Sequence, residues 1–91
     1  MTEKKPIYLD YNATTPMDPL VLKEMIPYFT EKFGNSVSAH TFGWDADSAI
    51  SLAKKRISQF LGFNVPPRIF FTSGATESNN WILRSVVEHF M

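Results

Sequence analysis

Arg68-Ile69-Phe70-Phe71-Thr72-Ser73-Gly74-Ala75-Thr76-Glu77-Ser78-Asn79-Asn80 is the stretch on which the fold turns. Its first half is an apolar run, Ile69 to Phe71, of the length and composition of a short buried strand. The run breaks at Ser73-Gly74-Ala75, three small residues that suit a tight turn. From Thr76 the apolar positions change to helical spacing, with Ile82, Leu83, Val86, Val87 and Phe90 on one face. The spacing therefore predicts strand, turn and helix in succession. A turn of small residues lets an anion approach the backbone, and the first N–H groups of a helix have no partner inside it, so the unit can cup a phosphate. The same residues also fit an ordinary capped junction, with Glu77 as the reciprocal acid of the cap. The local pattern leaves both readings open.

Working outward, Pro66-Pro67 predicts an extended entry into a strand over 68–72. Before it, Ala46, Ala49, Ile50, Ala53, Ile57, Phe60 and Leu61 keep a 3.6-residue rhythm that predicts a helix from Trp44 to Leu61, and Gly62 sits where a left-handed C-cap belongs. Lys54-Lys55-Arg56 in that helix reads as a solvated face whose cations complement the helix dipole. The segment 35–43 reads as loop. An earlier helix starts at Asp18-Pro19, where a carboxylate can cap free N–H groups and proline suits the first helical position. Leu22, Met25, Phe29 and Phe33 share its apolar stripe, Pro27 should kink it, and Gly34-Asn35 ends it. Residues 1–6 are expected to be a polar tail, and Ile7-Tyr8-Leu9 a short strand entering the Asn12 to Pro16 turn.

The order of four segments carries a resemblance. Tyr8-Leu9-Asp10-Tyr11-Asn12-Ala13-Thr14-Thr15-Pro16, then Phe33-Gly34-Asn35, then His40-Thr41-Phe42-Gly43, then Phe71 through Asn80 resemble the opening of a cysteine desulfurase, in the class V aminotransferase group of pyridoxal-phosphate (PLP) enzymes. The likeness runs from Ile7 to Phe90, and Ser73 to Ser78 is its most specific part. It implies an α/β fold, the N-terminal portion of a fold-type I PLP-dependent transferase, with three helices, two short strands and an incomplete sheet, the whole of 1–91 being one N-terminal fragment. It also implies that Gly74, Ala75 and Thr76 grip the phosphate of pyridoxal 5'-phosphate through backbone N–H groups and the Thr76 hydroxyl. One departure stands out, because Ser36 and Val37 occupy positions where the family usually has Pro and Ser. His40 lies near the active site or dimer contact in relatives, but a lone histidine beside Phe42 also suits a hydrogen-bonded packing residue.

The family's reaction, as the resemblance implies it, moves sulfur from L-cysteine to a protein cysteine as a persulfide and releases alanine, for iron-sulfur cluster or other sulfur-compound assembly. The residues here stop short of that chemistry. The chain has no cysteine, and none of Lys4, Lys5, Lys23, Lys32, Lys54 and Lys55 follows a histidine, as the family's PLP-bearing lysine does. No catalytic residue is therefore assigned, and the chain alone is expected to be inactive. Its expected partner is the remainder of a desulfurase or a self-associated copy. Two alternatives are a non-catalytic module that pairs with an intact desulfurase and a plain structural domain.

Composition narrows the classes further. Hydrophobic residues make up 44% of 91, with eight Phe, three Tyr and two Trp, enough apolar material for a core. Nine Lys plus Arg balance nine Asp plus Glu, so nothing points to a nucleic-acid or anionic-membrane partner. The two histidines, His40 and His89, lack metal-ligand spacing, and no metal site is expected. Without an apolar leader or spanning run, the expected location is cytoplasmic.

Overall fold

Among the described residues four helices follow one another: α1 (Pro19–Met25), α2 (Pro27–Thr30), α3 (Thr41–Phe60) and α4 (Ala75–Phe90). The computed structural model describes residues 4–63 and 68–91. Residues 1–3 of the expected polar tail, and Pro66-Pro67 with their expected extended entry, lie outside the described residues. The chain divides into two compact units, Met1–Asp47 and Ser48–Met91.

In the first unit, the Asp18 carboxylate accepts the Leu20 N–H at 2.8 Å and Pro19 opens α1, as the Asp-Pro pair predicts. Pro27 brings no N–H, and the helical path breaks there into α1 and α2. Ile26 keeps helical dihedrals, so the break is in the hydrogen bonding. Phe29 N–H reaches Ile26 at 3.0 Å, while Glu31 and Lys32 N–H groups converge on the Pro27 carbonyl at 2.9 and 2.8 Å. The Tyr8 hydroxyl bridges the turn that follows it, donating toward the carbonyls of Asp10 at 2.8 Å and Thr14 at 3.1 Å.

The helix expected from Trp44 begins three residues earlier, at Thr41. His40 is the reason. Its carbonyl accepts the Trp44 N–H at 3.0 Å and its ring Nδ1 accepts the Gly43 N–H at 3.3 Å, so the imidazole does the work of a polar N-cap. Residues 41–43 thus belong to α3 and not to the loop. Gly43 is buried against the loop backbone, and a Cβ added there would collide with the Ser38 carbonyl.

At the other end of α3, Gly62 takes φ +81°, Phe63 N–H returns to Ser58 at 3.0 Å and Gly62 N–H to Gln59 at 3.1 Å. Those two bonds are the Schellman pair that closes a helix on a left-handed glycine. The C-cap expected at Gly62 is therefore present.

The two expected strands are not. Among the described residues there is no β-ladder, and both Ile7-Tyr8-Leu9 and residues 68–72 are irregular. A strand exists by virtue of a hydrogen-bonded neighbour, and neither segment has one. Their apolar side chains point to covering that the described residues do not supply: Leu9 is 87% exposed and Phe70 66%. The same holds throughout. No apolar side chain is buried among the described residues, and Ser58 is the one buried polar residue.

Replacing Gly62 with Ala forces a Cβ into a left-handed conformation that costs about 1 kcal/mol. Nothing lies within 4 Å of the added atom, so the cost is conformational and not steric. Amide exchange at Gly62 and Phe63 should accelerate roughly five-fold in Gly62→Ala. Unchanged exchange would show that the cap does not hold the end of α3.

Candidate functional site

Thr72, Ser73 and Gly74 lead into α4, whose N-cap is Gly74. Gly74 has φ 161° and ψ −176°, extended backbone open to any residue, so the absent side chain matters for space rather than conformation. A Cβ added there would meet nothing within 4 Å. With no side chain at the N-cap, nothing local satisfies the first donors of the helix. Ser78 N–H makes the first helical bond, to the Gly74 carbonyl at 3.1 Å. The N–H groups of Gly74, Ala75, Thr76 and Glu77 carry no hydrogen bond among the described residues. Gly74, Ala75 and Thr76, the three residues singled out in the sequence, are thus consecutive at one helix end.

Glu77 reaches back as a capping acid does, but one residue further than the reciprocal arrangement requires. Its Oε2 accepts from the Ser73 hydroxyl at 2.6 Å and from the Ser73 N–H at 3.3 Å. The bond from the Ser73 side chain, then that from its backbone, holds the Glu77 carboxyl below its ordinary value of 4.5. The carboxylate is fully exposed, and it leaves the four following N–H groups open. An acid thus ties down the entry one residue before the N-cap, while the amides beyond it stay unpaired among the described residues.

A second tie fixes the turn. Thr72 Oγ1 donates to the Gly74 carbonyl at 3.1 Å and lies 2.6 Å from the Ser78 hydroxyl, which closes a short bridge across the bend. Further along, Asn80 Nδ2 donates to the Thr76 carbonyl at 2.8 Å. The bend is thus held from both sides by Thr72, Ser73, Glu77 and Ser78, of which sequence reasoning gave a bonding task to Glu77 alone, as the reciprocal acid of a cap. Their spacing carries part of the signal, with hydroxyls at 72 and 78 flanking the turn and one at 73 four residues before an acid, but side-chain direction decides which of them bond. His40, by contrast, is occupied in capping α3 and packs its ring edge-on to Phe42 at 6.2 Å between centroids. No cluster of metal-ligating side chains occurs among the described residues, and no helix there is long and apolar enough to cross a membrane.

This geometry sits within a recognisable lineage. The aminotransferase class-V family profile matches residues 7–91. The chain belongs to the class-V aminotransferase family. Cysteine desulfurase IscS of Rickettsia felis is 49% identical over 86 residues, covering 93% of this chain and 21% of the relative. Its counterpart in Rickettsia akari is 50% identical over the same shares. A solved NifS-like protein superposes with a TM-score of 0.84 at 49% identity, over 92% of this chain and 23% of that one. The chain therefore spans about a fifth of the length of the curated family members it matches.

The lowered Glu77 carboxyl has a definite pH sign. A depressed folded value means that the carboxylate stabilises the bend above about pH 4.5 and that this contribution is lost as pH falls through the lower, folded value. The Ser73 amide resonance should titrate with a midpoint below 4.5, and Glu77→Gln should abolish that titration. A Ser73 midpoint at or above 4.5 would show that the two bonds do not persist in solution.

Proposed function

We propose that this chain is the N-terminal, cofactor-phosphate-holding portion of a cysteine desulfurase that uses pyridoxal 5'-phosphate. The observation that carries the reading is the row of four unbonded N–H groups from Gly74 to Glu77, inside the block of sequence that most resembles that family. Supporting it are the family membership and relatives that bear the desulfurase name. The donor set suits a phosphate group: a helix N-terminus supplies oriented N–H dipoles, and the open space at Gly74 admits bulky oxygens. The N–H groups of Gly74, Ala75 and Thr76, with the Thr76 hydroxyl, would hold the phosphate. The Thr72–Ser78 bridge and the Ser73–Glu77 pair would keep the bend from collapsing onto those donors.

When bound, PLP supplies the electron sink that sulfur abstraction from cysteine requires. This chain's residues would bind and orient it by its phosphate. Neither a protein thiol nor a lysine in the family's setting is present, so the chain by itself is proposed to be inactive. Persulfide formation, sulfur delivery toward iron-sulfur cluster assembly and a cytoplasmic setting belong to the complete enzyme under this reading.

Magnitude limits what the isolated site can do. Each helix-terminus contact is worth about 0.3 to 1 kcal/mol, while even millimolar affinity needs about 4 kcal/mol. Titration with inorganic phosphate, and separately with PLP, should shift the amide resonances of residues 73–77 with millimolar or weaker affinity. Thr76→Ala should weaken the effect by roughly two- to five-fold, the value of one hydrogen bond. Resonances that stay still at high phosphate would overturn the assignment. Tight binding, seen as a stoichiometric, borohydride-trappable adduct on one lysine, would overturn the claim that the chain is incomplete as an enzyme.

A further inference from the structure

Lys54-Lys55-Arg56, the cationic run expected to form one solvated face, divides in the structure: Lys55 and Arg56 are exposed, whereas Lys54 is half-buried. Its Nζ lies over two consecutive rings, 5.8 Å from the centroid of Phe70 and 5.9 Å from that of Phe71. Phe70 in turn meets Trp81 edge-on at 5.4 Å. Lys54 belongs to α3, Phe70 and Phe71 to the segment that enters the bend, and Trp81 to α4 beyond it. These contacts span the bend within one compact unit, Ser48–Met91.

Little else holds that entry. Residues 68–71 are irregular, and their backbone groups carry no hydrogen bond among the described residues. Phe71 is followed directly by Thr72, whose hydroxyl donates to the Gly74 carbonyl and lies against the Ser78 hydroxyl. A rotation of the entry at Phe70-Phe71 is thus passed on to the bend at the next residue. An ammonium is attracted to the electron-rich face of an aromatic ring, and a lysine can lay its methylene stem along apolar surface while its charge stays near water. Lys54 has both kinds of contact available, and Phe70 relays its hold to Trp81 on the helix that bears the open amides.

We propose that Lys54 is a positioning residue for the phosphate bend. By holding Phe70 and Phe71 against α3, it sets the direction in which the chain enters Thr72 to Gly74, and so the direction in which the unbonded N–H groups of Gly74 to Glu77 face an anion. It acts through the two rings and not as a ligand of the anion. The proposal deepens the reading of this bend as a phosphate site and rests on it.

The test uses the 91-residue chain, inorganic phosphate as the probe and three variants. Lys54→Met keeps a long stem without the charge, Lys54→Arg keeps a cation that also stacks on rings, and Lys55→Met removes the same charge from the exposed neighbour. Lys54→Met should shift the amide resonances of Thr72 to Gly74 and weaken phosphate binding roughly two- to five-fold, the value of one exposed cation–π contact. Lys54→Arg should restore both, and Lys55→Met should change neither. In the unsubstituted chain, the ε-methylene protons of Lys54 should resonate upfield of those of Lys55, since the Lys54 end lies over the ring faces. Coincident ε-methylene shifts, equal losses in the two Met variants, or resonances at 72–74 indifferent to Lys54→Met would overturn the proposal. Failure of phosphate to move residues 73–77 in the unsubstituted chain would instead overturn the cofactor reading, and the role of Lys54 in setting the bend would still be decided by the resonances of Thr72 to Gly74.

Discussion

Apolar surface without an interior is the constraint on which the rest of this structure depends. Forty-four per cent of the residues are hydrophobic, yet no apolar side chain among the described residues is buried. Burying a Leu, Ile or Phe fully is worth about 1.5 to 3 kcal/mol. Exposed as they are, Leu83, Val87 and Phe90 withhold that contribution from α4. What holds the local structure is instead backbone chemistry: the Asp18 cap, the His40 cap, the Gly62 closure and the ties around Ser73 and Glu77. Each is a short-range interaction, and a helix N-cap such as that of Asp18 is worth about 1 kcal/mol.

The same constraint explains why the candidate site is built as it is. Short-range bonds suffice to shape a bend and to start a helix, so the unbonded N–H groups from Gly74 to Glu77 are present without a surrounding domain. A complete active site needs side chains brought together from distant parts of a fold, and that requires a core. The chain spans about a fifth of the relatives it matches, and the parts of the reaction that depend on long-range assembly fall outside it under the proposed reading.

Legibility in the sequence follows the range of the interaction. Asp18-Pro19, Pro27 and Gly62 each act through their own backbone or a neighbour within a few residues, and each does in the structure what its residue type dictates. The order of the four motif segments pointed to the class-V family, to which the chain belongs. The start of α3 was misjudged because histidine is an uncommon N-cap; its Nδ1 takes the place of the usual hydroxyl or carboxylate. The strands at 7–9 and 68–72 were misjudged for the opposite reason. Their apolar runs encode a covered strand, but a ladder needs a second segment, and no local pattern reveals whether one is present. The roles of Ser73 and Ser78 depend on side-chain direction around the bend, which spacing alone leaves undetermined.

Calorimetry of the isolated chain tests the central claim most directly. A self-contained domain of 91 residues would unfold with a heat-capacity increase of about 1.1 to 1.4 kcal/mol/K, because that quantity follows apolar surface newly exposed to water. With no apolar side chain fully buried among the described residues, the chain should show a broad transition with a heat-capacity step less than half that size. A sharp, two-state peak from a monomer, with the full step, would contradict the account.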